Sequence, residues 1–196
     1  MKKYLIGLAV CSVSALFLTG CAVKNTNMEF SKPYSIYMGE RAYSKVFLSG
    51  VKYAASDTKI VGSIINSAGA VEGYLTTSTD MQNWFGEAFE KEVRAAGFTP
   101  LSDEKNADFS VSMSVQNLEM KYLKSELTGK NLMMKLQIEV SIKKGGNTVT
   151  KKYGYNESKW IKPTFNALEL ADIYEPFLRE SVAATVKDLV VISKNR

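Results

Sequence analysis

The chain has no histidine, two cysteines and four prolines in 196 residues. Without histidine there is no imidazole to act as general base, metal ligand or partner of a nucleophilic Ser or Cys. Zinc sites of the His/Cys type are excluded for the same reason. Both cysteines, Cys11 and Cys21, lie near the N-terminus, so the remainder has neither a disulfide nor a free thiol. No stretch reads as a P-loop, as Gly-x-Ser-x-Gly or as Gly-x-Gly-x-x-Gly. No basic run has aromatics interleaved as a stacking platform for nucleic acid. The chain is therefore expected to carry no cofactor, to bind no nucleic acid and to be no enzyme of these classes. It also lacks a long hydrophobic run. The apolar segment Tyr4–Leu18 has 15 residues, short of the roughly 20 that a spanning helix needs.

What is present begins at the N-terminus. Lys2 and Lys3 precede that apolar segment, and small residues follow it. This is the layout of a cleaved secretory signal. The last four residues, Leu18-Thr19-Gly20-Cys21, resemble the bacterial lipobox. The resemblance implies cleavage between Gly20 and Cys21 and a lipid on the Cys21 thiol, which anchors the protein to a membrane. One acyl chain holds only weakly, whereas two or three hold for good. Residue 22 is Ala rather than Asp, which favours the outer membrane, periplasmic face, in enteric sorting.

The expected organisation is a signal peptide over 1–20, a lipidated N-terminus with a flexible tether over 21–33, and one periplasmic domain over 34–196. Cleavage removes Lys2 and Lys3, so the net charge falls from +5 to +3 over the 176 residues that remain. That length suffices for one real core. The tether reading rests on polar residues from Lys24 to Pro33, with Met28 and Phe30 the residues able to dock.

Val46–Leu48, Lys59–Ile65 and Val71–Thr77 read as strands. Met81, Trp84, Phe85, Ala88, Phe89, Val93 and Ala96 keep helical spacing. Thr79 with Gln82 is the expected capping box, and Gly97 the expected C-terminal stop. Trp84 and Phe85 read as core or, less simply, as a ligand platform. After a short extended piece over Phe98–Leu101 and a polar turn over Ser102–Asn106, Phe109, Val111, Met113 and Val115 alternate with polar residues. Leu136, Ile138, Val140 and Ile142 do the same, and Gly145-Gly146-Asn147 marks a hairpin turn. These elements predict three antiparallel strands over 107–159. A C-terminal helix with an Asn166/Glu169 capping box follows, either kinked or divided at Pro176, with residues 192–196 frayed. The fold class is α+β: a mainly antiparallel sheet with a central and a C-terminal helix packed on one face.

Lys143, Lys144, Lys151 and Lys152 crowd one hairpin end. They read as edge protection or as a patch for anionic lipid headgroups or glycan. Asp103, Glu104 and Asp108 are the carboxylates a histidine-free glycan hydrolase would use. Met113, Met120, Met133 and Met134 fit core filler or the lining of an apolar groove.

Two patterns carry a wider resemblance: the helix closing with Ala95-Ala96-Gly97-Phe98, and Ala107-Asp108-Phe109 opening an alternating strand. With the lipobox they resemble the YajG-type lipoproteins of Gram-negative bacteria. They also resemble the wider set of periplasmic α/β lipoproteins that includes penicillin-binding-protein activators and transport-auxiliary lipoproteins. The likeness spans about 79–192 and implies no catalytic residue. It implies an envelope lipoprotein, bound to the membrane by its lipid, that serves as a non-enzymatic binding or accessory module for another envelope protein. The alternatives are a lipid or glycan carrier and a carboxylate-based hydrolase.

Overall fold

The computed structural model describes residues 25–55, 57–124 and 129–194. The strands are β1 (Thr26–Met28), β2 (Lys45–Tyr53), β3 (Ile60–Ile65), β4 (Val71–Thr77), β5 (Thr99–Leu101), β6 (Phe109–Leu123), β7 (Leu132–Lys144) and β8 (Asn147–Lys159). The helices are α1 (Met81–Ala95) and α2 (Ala167–Lys194), with a 3-10 turn at Glu104–Asn106. All eight strands form one sheet.

Strand β6 organises that sheet. Along one edge it pairs antiparallel with β7, which pairs antiparallel with β8, giving the expected meander. Its other edge is shared: β2 runs parallel to residues 109–115, and β3 parallel to residues 120–123. Outside β2 lies β5, and outside β3 lie β4 and then β1. Pairings of β1 with β4, β2 with β5 and β2 and β3 with β6 are parallel, against three antiparallel ones. The sheet is thus mixed rather than mainly antiparallel. Side-chain alternation reports which face a residue takes, not the direction of its neighbour.

In β6 the buried apolar residues are odd-numbered up to Val115 and even-numbered from Leu118. A register shift between Val115 and Asn117 absorbs the extra residue. Such a bulge keeps one face of a long strand inward. Between β3 and β6 the backbones come so close that a Cβ on Gly62 would run into the Met120 carbonyl.

Helix α1 buries Met81, Trp84, Phe85, Ala88, Phe89 and Val93 as its spacing predicts. Its N-cap is Asp80, whose carboxylate accepts from the Asn83 N–H at 3.0 Å. The Thr79/Gln82 box does not form, because the Thr79 hydroxyl accepts instead from the Phe30 N–H at 3.0 Å. At the other end Gly97 takes φ 86°. Its N–H reaches the Arg94 carbonyl while that of Phe98 reaches Val93, a Schellman closure.

Helix α2 opens with the expected box: Glu169 N–H to Asn166 Oδ1 at 2.9 Å, Asn166 N–H to Glu169 Oε2 at 3.1 Å. It stays one helix through Pro176 and on to Lys194. Pro176 and Asp172 are both exposed, so the carbonyl that Pro176 leaves without a donor lies on the solvent side of the helix. Residues 192–194 are not frayed: Ile192 is buried and Lys194 pairs with Glu40 at 2.6 Å.

The expected tether is the largest departure. From Thr26 the chain is built into the domain, with Met28 and Phe30 buried. Phe30 lies between Trp84 of α1 and Tyr174 of α2, at ring separations of 6.3 and 6.0 Å.

Gly62→Ala should destabilise the domain by at least the ~1–3 kcal/mol typical of overpacking. Gly154→Ala, where a Cβ meets nothing within 4 Å, should be neutral or slightly stabilising. Thermal unfolding of the two variants checks the contrast, and equal midpoints would contradict the β3–β6 contact.

Candidate functional site

The sheet has two ends that differ in what they carry. Across one end lie Val71, Ile65 and Leu123 in adjacent strands, then Leu132 opposite Lys159. Strand β1 enters from this end, with Asn25 Oδ1 accepting from the Tyr74 N–H at 3.2 Å. It is called the anchor end below. At the other, distal end β2 starts, β7 turns into β8 and α2 finishes.

Gly20 and Cys21, the expected cleavage and lipidation residues, lie outside the described residues. The four lysines of the hairpin lie at the distal end, and the sheet divides them. Lys151 stands opposite Val140 on the helix face, where it pairs with Asp188 of α2 at 3.0 Å. Lys152 stands opposite Glu139 on the outer face and pairs with it at 3.6 Å. Lys143 pairs with Glu104 at 3.1 Å. Lys144 borders a separate hollow. They therefore form no single patch, since antiparallel register and alternation send neighbours in sequence to opposite faces.

The candidate acids are occupied structurally. Asp103 accepts from Lys105 N–H and Asn106 Nδ2, Asp108 accepts from the Lys45 N–H at 2.7 Å, and Glu104 accepts from Ser110 and Lys143. The lysine ammonium, with help from Ser110, holds the Glu104 carboxyl below its usual range. Met113, Met120 and Met134 are sealed in the core and line no groove, and Met133 faces the other way. Trp84 is 3% exposed, donates its indole N–H to the Ser31 carbonyl at 2.8 Å, and stacks edge-on with Phe85. The platform reading of this pair therefore gives way to the core reading. Among the described residues no group of acids is arranged to hold a metal ion.

Two polar clusters were not anticipated. The first locks residues 31–36 to the helices. Arg179, 5% exposed, donates to Ser31 Oγ and Glu175 Oε2, each at 2.8 Å. Its guanidinium lies 3.8 Å over the Tyr34 ring. The Ser31 hydroxyl and N–H both donate to Glu175. On α1 the buried Glu92 accepts from Ser35 Oγ at 2.9 Å and the Ile36 N–H at 2.8 Å. The available signal was a charge inside each apolar stripe: Glu92 before Val93, and Arg179 after Leu178. The second cluster joins β8 to α2. Tyr153 donates to Asp188 at 2.6 Å and Tyr155 shares a 2.9 Å hydrogen bond with Thr185. Burial, then the Asp188 carboxylate, push the Tyr153 phenol upward.

The distal end also displays exposed apolar side chains: Met38 at 93%, Tyr43 at 88% and Val191 at 51%. The same end has a hollow of about 190 Å³ bordered by Ser44, Phe109, Lys144 and Leu189. Large exposed side chains of this kind mark contact surfaces when they gather.

No family model matches this chain, and no curated protein matches it. Its fold is similar to that of protein XCC0632 from Xanthomonas campestris, family DUF330. The TM-score is 0.59 at 6% identity, covering 88% of this chain and 98% of that one. A second solved structure, of an uncharacterized protein, gives TM-score 0.53 at 6% identity over 85% and 99%. A minor lipoprotein from Acinetobacter baumannii aligns over 79% of this chain and 95% of its own, with TM-score 0.37 and 14% identity. The first two likenesses show a shared fold.

Asp188 feels burial, which raises its pKa, but Tyr153 and Lys151 outweigh that and hold it below the usual range. Its contribution to stability is thus present above the ordinary Asp value, near 3.9, and is lost as pH falls through the lower folded value. Asp188→Asn should lower the melting temperature near neutral pH and narrow that gap in acid. A gap independent of pH would contradict the pairing.

Proposed function

We propose that this chain is a lipoprotein of the bacterial envelope, held by lipid on Cys21 at the periplasmic face of the outer membrane. Its domain acts as a non-enzymatic binding or accessory module for an envelope complex. One observation carries the reading: the lipobox cysteine stands five residues before Thr26, where the chain joins the sheet. A lipid there ties a folded domain to the membrane without a long leash. Among the described residues no helix is long and apolar enough to span a bilayer. The resemblance to YajG-type lipoproteins fits this assignment.

The partner surface is the distal end, with Met38, Tyr43 and Val191. It points away from the anchor, toward other envelope components. The hydrolase alternative has lost its acids to structural pairs, and the carrier alternative its methionine groove.

Cys21→Ser should abolish incorporation of labelled palmitate, leaving the signal attached or the protein soluble, with the domain still folded. Unchanged palmitate labelling would sink the anchoring reading. A photoreactive residue at Tyr43 should crosslink to an envelope protein in intact cells, whereas one at Gln137, exposed in the middle of β7 and away from the distal end, should not. Labelling that is equal at both sites, or absent at both, would remove the distal end as the partner surface.

A further inference from the structure

Asn25 is four residue steps from Cys21, so at about 3.3–3.6 Å per step the backbone that carries the lipidated sulfur is at most roughly 14 Å from Asn25. Asn25 lies level with Tyr74, three residues along β4 from Val71, the last residue of that strand at the anchor end. Three residues of strand span about 10 Å. Even fully extended, residues 21–24 carry the anchor only one residue or so past this row. Given the lipid on Cys21 proposed above, the domain has no room to stand clear of the bilayer, and its anchor end must sit at headgroup depth.

What that end displays suits such a position. Trp160 is 53% exposed, Leu168 70% and Val71 49%. They belong to three separate elements: the segment after β8, the first turn of α2 and the start of β4. Trp160 follows Lys159, which pairs with Leu132 in the row across this end. Ile161 is tied to Asn131 by two hydrogen bonds of 2.7 Å, and Phe165 packs edge-on against Tyr122 at 4.5 Å. Trp160 and Leu168 thus project from a rigid base. Beside them an open hollow of about 390 Å³ is bordered by Ile161, Phe165 and Ile173. The turn joining β3 to β4, Ser67-Ala68-Gly69-Ala70, is exposed and uncharged.

Three lysines here are matched, and Lys130 is exposed. Lys124 pairs with Glu72 at 2.6 Å, Lys159 with Glu157 at 3.0 Å, and Lys162 with Glu169. A surface whose lysines are mostly paired gains little from anionic headgroups, so apolar insertion drives the contact. Trp is the residue most at home at that depth, with an apolar ring and a polar N–H. We infer that the anchor end is a membrane-docking surface, in which Trp160, Leu168 and Val71 insert into the leaflet that holds the lipid of Cys21. Docking fixes the orientation of the domain, so that the distal end points away from the membrane.

The chain has two tryptophans, and the other, Trp84, is buried. The test uses full-length lipidated protein in vesicles of phosphatidylethanolamine and phosphatidylglycerol carrying acyl-brominated lipids. The protein should float with the vesicles and lose much of its tryptophan emission. Trp160→Phe should float equally well, with Trp84 emission that brominated lipid does not quench. Flotation without quenching of Trp160 would overturn the docking surface and leave the anchor standing. Trp160 shielded from aqueous iodide yet not quenched by acyl bromine would mean that another protein copy covers it, which also overturns the proposal. Failure to float would overturn the anchor and this inference together.

Discussion

Phe30 sits with its ring between Trp84 of α1 and Tyr174 of α2, and the residues after it are held by two buried charges, Glu92 and Arg179. The rest of the arrangement depends on this docking. It makes the N-terminal segment part of the core rather than a lead into it. It also sets β1 beside β4, which brings the chain in at a defined end of the sheet. Neither charge is affordable alone in that setting, since a buried ion needs partners to offset its desolvation. Glu175, Ser31 and the Tyr34 ring supply them for Arg179, and Ser35 with the Ile36 N–H for Glu92. The latch therefore specifies one path for residues 26–36 more than it adds to stability.

Much of the fold was legible because periodicity reports burial directly. The stripe of α1, the alternation in β6 and β7, the Gly145-Gly146 hairpin and the Asn166/Glu169 box all stand where their spacing puts them. Strand direction was not legible, because a residue's facing is the same beside a parallel or an antiparallel neighbour. The N-cap of α1 missed by one residue: Asp80 and Thr79 are both good caps, and the choice was settled by Phe30, 49 positions earlier. The docked N-terminus was hidden because Met28 and Phe30 are two apolar residues in a polar stretch, and their value comes from cavities that other elements build.

The candidate site was less legible for a related reason. Lysines 143, 144, 151 and 152 look like one cluster in the chain, yet the hairpin places Lys151 toward α2 and Lys152 toward the outer face. Asp103, Glu104 and Asp108 look like an acid cluster, yet each closes a local turn or strand start. Proximity in sequence overstated function in both cases. The informative residues were those that break a pattern: Arg179 and Glu92 within apolar stripes, and Trp160 left exposed beside a buried Ile161.

The polarity of the sheet links these observations. Parallel pairing of β1 with β4, and of β3 with β6, sends the entry of the chain and the end of β6 to the same side. Had β1 paired antiparallel, the chain would enter the sheet from the opposite side, beside the lysine hairpin. As folded, that hairpin lies at the far end, where Lys151 pairs with Asp188 of α2 and Lys152 with Glu139. The feature that sequence alone could not supply, strand direction, is therefore the one that decides which end of the sheet receives the N-terminal segment and which carries the lysine hairpin.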